Sequence, residues 1–246
     1  MFSARPVRAL PHLLRRPAPR RWVNAAVHAA WAWGERLGDV VPGTELADRF
    51  AAFGRGSCLA FPLQCVTGES EIHLGRDTLI GKYATLSVGY GPLQAQLPPR
   101  GLVIGDRCVI GARACITAHE SIVIEDDVWL GLDVFVSDAS HGYTDPSTPI
   151  GRQFGEHRPV RIGAGSWIGH GAMVLPGADI GRNVVVAAGS VVRGRVEDHA
   201  VVGGVPARVL RRLDADRGWV APTAPPPVAV PIEPAEPVSM VSEVTP

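Results

Sequence analysis

The chain has 246 residues, 46% apolar and only 6% aromatic, with 24 basic and 24 acidic side chains that cancel. A net charge of zero gives no bulk attraction to nucleic acid, and no apolar run reaches the roughly 18 residues of a membrane span. Cys58, Cys65, Cys108 and Cys115 form no C-x-x-C pair. They fit buried thiols in a reducing cytoplasm rather than a zinc site or disulfide framework, and no metal is expected.

Residues 1–21 hold six arginines, four prolines and no acid, which predicts a disordered segment without the pattern of a secretion signal. Residues 22–56 are expected to form a helical arm, because Trp22, Ala26, Ala30, Trp33 and Leu37 recur near helical spacing. Such an arm can cap the first unit of a repeat stack. With its arginines and tryptophans it can also touch anionic lipid at the inner membrane surface.

From Ile162 onward, Ile162, Ile168, Val174, Ile180, Val186 and Val192 fall six residues apart. Small or β-branched residues (Ser166, Ala172, Ala178, Val184, Ser190) stand two before the last five. The spacing recurs at Leu74, Ile80 and Leu86, at Ile104, Ile110 and Ile116, and at Ile124, Leu130 and Val136. Period six fits neither a 3.6-residue helix nor a long alternating strand. It fits a short strand and a corner, repeated, with one aliphatic side chain per unit turned inward and the glycine beside it making the turn. Hexapeptide periodicity of this kind marks a parallel β-helix, an all-β fold, here over 57–213. From Trp219 the chain has eight prolines and no basic residue, so 214–246 is expected to be a disordered tail.

The segment "SWIGHGAMVLPGADIGRNVVVAAGSVV" followed by "GGVPARVLRRL" resembles the closing coils of the hexapeptide-repeat acyltransferases. The nearest type is the sugar O-acetyltransferases acting on maltose or galactosides. Val205 departs from that pattern, where many members carry asparagine. The resemblance implies a left-handed β-helix, a homotrimer with sites between neighbouring chains, and acetyl-CoA as acyl donor.

Two stretches, Ser87–Val103 and Ser137–Arg161, interrupt the hexads, and loops expelled from a regular scaffold commonly carry function. The second resembles the catalytic loop of the sugar O-acetyltransferases, with His141 in the place of their histidine. Arg152, Gly155, Glu156 and Pro159 match their Arg-x-x-Gly-Glu segment and the proline after it. An imidazole titrates close enough to neutrality to take a proton from an attacking hydroxyl and return it to a departing thiolate. Glu156 by resemblance, or Asp138 by proximity, is the carboxylate expected to orient the ring. The resemblance also places Trp167, Ala188, Gly189 and Ser190 along the coenzyme groove and Arg208 and Arg211 at its phosphates, where a guanidinium fork suits the geometry. Tyr143, Asp145 and Arg152 are candidate acceptor contacts.

The expected reaction moves an acetyl group to a hydroxyl of a saccharide or glycoconjugate precursor. Serine or another small amine or alcohol is an alternative acceptor, and a non-catalytic binding scaffold an alternative role. Some hexapeptide β-helices hydrate carbon dioxide on zinc, but that needs histidines in H-x-x-x-x-H spacing, which this chain does not have.

Overall fold

The computed structural model describes residues 17–91, 94 and 96–222. Most of the arginine-rich segment (1–16) and of the proline-rich tail (223–246) lies outside the described residues. Three sheets, parallel except for the last two strands of one, form the sides of the stack. The seven-stranded sheet runs from Ala52–Phe53 to Arg195–Val196, and the six-stranded sheet from Cys65–Thr67 to Val191–Val192. The nine-stranded sheet begins at Cys58–Leu59. The stack is a left-handed parallel β-helix in which every third strand, up to Ala200–Gly203, is a neighbour in space, so three hexads make one coil.

The hexad residues explain why the stack closes. Phe53, Leu74, Ile104, Ile124, Ile162, Ile180 and Val196 pair in register along one sheet. Leu59, Ile80, Ile110, Leu130, Ile168, Val186 and Val202 do so along the second. Val66, Leu86, Ile116, Val136, Val174 and Val192 complete the third. From Leu74 to Val192 no hexad aliphatic is more than 2% exposed. Each contributes about 1.5–3 kcal/mol by burial.

The corners differ from the sequence expectation. The left-handed backbone falls three residues after the aliphatic position, at Asp77 (φ 54°), Arg113 (60°), Asp133 (59°) and Asn183 (52°), and at Gly165, Gly171, Gly177 and Gly189. The glycine beside the aliphatic residue serves close approach instead. A Cβ on Gly163 would stand 2.5 Å from the Gly181 carbonyl oxygen of the next coil.

At the first coil, α1 spans Pro17–Gly38, starting earlier than the periodicity of 22–56 suggests. Proline is favoured at a first helical position because its missing N–H would have no partner there. The expected apolar stripe does not cap the stack: Trp22, Trp33 and Leu37 are exposed. Val40, Phe50 and Ala47, the last from the single-turn helix α2 (Glu45–Asp48), are buried against the core instead. Among the described residues no helix is long and apolar enough to cross a membrane.

At the other end the chain reverses. Ala200–Gly203 pairs antiparallel with Arg208–Asp214, which pairs antiparallel with Gly218–Val220. Residues 214–222, expected in the disordered tail, instead complete this hairpin.

Candidate active site

Both interruptions leave from the six-stranded sheet. The first follows Thr85–Val88 and the second follows Phe135–Ser137, rejoining the stack at Val160. Asp138 fixes the base of the second loop. It lies two residues beyond the inward-facing Val136, so its side chain also turns in, and it is fully buried. One carboxylate oxygen accepts the His119 N–H and the other those of Glu120 and Ser121, each at 2.8 Å. Its carbonyl accepts the Arg158 N–H at 2.8 Å, which ties the two ends of the loop. Burial pushes the Asp138 carboxyl up, but the adjacent His119 side chain and the backbone N–H groups outweigh it and hold the carboxyl below its usual range. His119 Nδ1 stands 3.5 Å from the carboxylate and is buried without a hydrogen-bond partner.

His141 is exposed on a two-stranded ribbon made within the loop. It bridges Phe154 in antiparallel fashion; Gly142 donates to the Gln153 carbonyl and Gly155 to that of Ser140. Neither expected carboxylate meets the imidazole. Asp138 is committed to the 119–121 amides, and Glu156, beyond the bridge, is exposed and forms no hydrogen bond to His141. The ring's neighbour is the Gln153 carbonyl, 3.3 Å from Nδ1. A carbonyl only accepts, so the contact is a hydrogen bond when Nδ1 carries the proton, and in that form of the neutral ring the Nε2 lone pair is free.

Gln153, which the sequence reading did not single out, organises the loop. Its amide donates to the Asp145 and Thr148 carbonyls and accepts the Asp145 N–H. Asp145 is occupied within its own turn. Its carboxylate accepts the Ser147 and Thr148 hydroxyls at 2.6 and 2.7 Å, which with the Ser147 N–H hold its pKa at about 2. Of the candidate acceptor contacts, Tyr143 and Arg152 present exposed side chains.

The proposed donor residues lie on other faces. Trp167 is 55% exposed on the nine-stranded sheet, in register with Trp129, an equally open tryptophan on the preceding rung. Ala188 and Gly189 form the exposed corner toward the six-stranded sheet. Ser190 differs from its expected role: it is fully buried, and its hydroxyl accepts the Gly204 N–H at 3.1 Å. That hydroxyl fastens coils, as Ser166 does with Val184 and Gly181. Arg208 and Arg211 are exposed on the closing hairpin and form no ion pair among the described residues. One chain thus gathers the loop around His141 but keeps Trp167 and the two arginines on a different side of the stack.

Residues 159–194 match the bacterial transferase hexapeptide family, six repeats, and residues 101–137 match the hexapeptide repeat of succinyl-transferase. The chain is 32% identical over 155 residues to a probable acetyltransferase of Mycobacterium tuberculosis, covering 63% of this chain and 48% of that protein. It is 34% identical over 123 residues to WbbJ of Escherichia coli, a putative lipopolysaccharide biosynthesis O-acetyl transferase, covering 47% and 63%. With the galactoside O-acetyltransferase of Lactococcus lactis it shares 33% over 123 residues, covering 50% and 58%. The chain therefore spans between 48% and 63% of the length of these curated relatives. The solved structure of AntD, an N-acyltransferase from Bacillus cereus, superposes with a TM-score of 0.55 at 20% identity, covering 66% of this chain and 82% of that one. The chain's repeats match two hexapeptide-repeat models, and the curated proteins that it resembles are named acetyltransferases.

Proposed function

We propose that the chain is an O-acetyltransferase that moves an acetyl group from acetyl-CoA to a hydroxyl of a saccharide or glycoconjugate precursor, with His141 as general base. The observation that carries this reading is an exposed imidazole on an expelled loop, its Nδ1 against a carbonyl and its Nε2 unengaged. Nε2 takes the proton as the acceptor oxygen attacks the thioester carbonyl. The new C–O bond forms, the C–S bond breaks, and the proton passes from Nε2 to the departing thiolate. The relatives named O-acetyltransferase support the acceptor class. Glu156 has no contact to His141 and enters only by resemblance.

The separation of Trp167, Arg208 and Arg211 from His141 within one chain favours a homotrimer, in which a neighbour's nine-stranded face meets this loop and closed cyclic symmetry completes three sites. One preparation tests both statements. Light scattering should give three times the 26.1 kDa chain mass, and acetyl-CoA should release free thiol with members of a panel of sugars and glycosides. A monomer mass at micromolar concentration contradicts the shared site, and a panel in which only serine reacts contradicts the acceptor.

The donor assignment has its own test. Acetyl-CoA should raise the melting temperature by mass action, and the pair Arg208→Ala and Arg211→Ala should shrink that rise by weakening phosphate contact. An undiminished rise in the double variant removes both arginines from the donor site.

A further inference from the structure

The first interruption has no role in the chemistry above, yet it delivers a side chain to the catalytic loop. The ring of Tyr90 packs against His119 with centroids 4.6 Å apart and meets Phe154 edge-on at 5.4 Å. Its hydroxyl bonds the Nε2 of His157, and the His157 ring lies 5.6 Å from that of His119. Two loops from different coils thus converge on His119, whose backbone is held by buried Asp138. Burial and the Asp138 charge push the Tyr90 phenol up, which keeps its hydroxyl un-ionised.

The ribbon ties this cluster to His141. With bonds running from Gly142 to Gln153 and from Gly155 to Ser140, His141 and Phe154 are a non-hydrogen-bonded antiparallel pair. In such a pair the two side chains share one face and approach most closely. Phe154 is 74% exposed and Tyr90 55%, so the imidazole stands beside an open aromatic surface with a polar edge at His157. Water gains nothing from a bare phenyl ring, and a ligand that covers it is favoured. A pyranose suits this surface because it has a flat face of C–H groups and a rim of hydroxyls.

We propose that Phe154, buttressed edge-on by Tyr90, forms the acceptor subsite, a stacking platform for the apolar face of a hexopyranose ring that holds one of its hydroxyls at His141. This deepens the sugar O-acetyltransferase reading and rests on it for the identity of the transferred group.

Binding can be measured without turnover. Saturation-transfer NMR would use methyl β-D-galactopyranoside and methyl β-D-glucopyranoside, with glycerol as a ringless control. The full chain would carry His141→Ala, alone or with Phe154→Leu or Phe154→Tyr. We expect Phe154→Leu to weaken glycoside binding about tenfold, the scale of one aromatic contact, and Phe154→Tyr to restore it. In the chain with His141 intact, the preference in kcat/KM for glycosides over glycerol should fall by the same factor in Phe154→Leu. Equal glycoside binding in Phe154→Leu, or no binding of either glycoside by the chain with Phe154 intact, overturns the subsite. A loss of acetyl-CoA binding in Phe154→Leu overturns it too, by assigning the ring to the donor. If no sugar is acetylated but glycoside binding still depends on Phe154, the subsite stands and the transfer reading fails. If sugars are acetylated and binding ignores Phe154, the subsite alone fails.

Discussion

His141→Ala should lose about two to four decades in turnover while acetyl-CoA still raises the melting temperature. The side chain is exposed and belongs to a loop whose base is held by Asp138 and whose interior is held by Gln153. Removing the imidazole therefore deletes a proton acceptor without unmaking its support. Single-turnover thiol release in the variant, compared with the parent at saturating acceptor, measures the chemical step. Turnover within threefold of the parent would remove His141 from the mechanism. Loss of the thermal response to acetyl-CoA would point to a donor-binding role instead.

The largest stability change expected from one polar side chain is at Asp138. Replacement by alanine leaves the amides of His119, Glu120 and Ser121 without their acceptor in a buried corner, a loss of about 3–5 kcal/mol. In a chain of this length that lowers the melting temperature by about 10 °C. Asp138→Asn restores only one acceptor oxygen and turns an NH₂ group toward at least one amide donor, so it should fall close to alanine. The pH dependence follows from the lowered folded-state carboxyl. Its contribution is fully present above the ordinary aspartate value of about 3.9 and is lost as pH falls through the folded-state value. Melting curves from pH 7 down to pH 3 should therefore show the gap between parent and Asp138→Asn narrowing below about pH 4. A gap that is constant over that range, or less than about 2 °C at pH 7, would show that the carboxylate does not organise this corner.

The hexad core was legible because period six and three-sided stacking turn the same aliphatic positions inward, and the registers from Leu74 to Val192 follow from that count. The expelled loops were legible as breaks in the same count. Corner chemistry was less so, because the left-handed position falls on Asp77, Arg113 or Asn183 as readily as on glycine. Asp138 carried a readable signal, its parity with Val136, but proximity to His141 pointed elsewhere. The contact from the Gln153 carbonyl was not readable, since backbone groups leave no trace in residue type. Nor was the convergence of Tyr90 and Phe154, which are 64 residues apart in the chain and meet only because their coils are stacked.

The antiparallel hairpin at 200–220 bears on how long such a stack becomes. Each inner coil presents the same row of amides and carbonyls above and below, so nothing within the repeat says where to stop. A bare terminal rung is a template on which another rung, including one from a second molecule, can grow in register. The strand Arg208–Asp214 runs opposite to the rung it covers, slips register between Val201 and Val202, and carries Arg208, Arg211 and Arg212 outward. Direction, spacing and charge all mismatch the repeat there, so on the nine-stranded side the stack ends in an edge that a further parallel rung does not match.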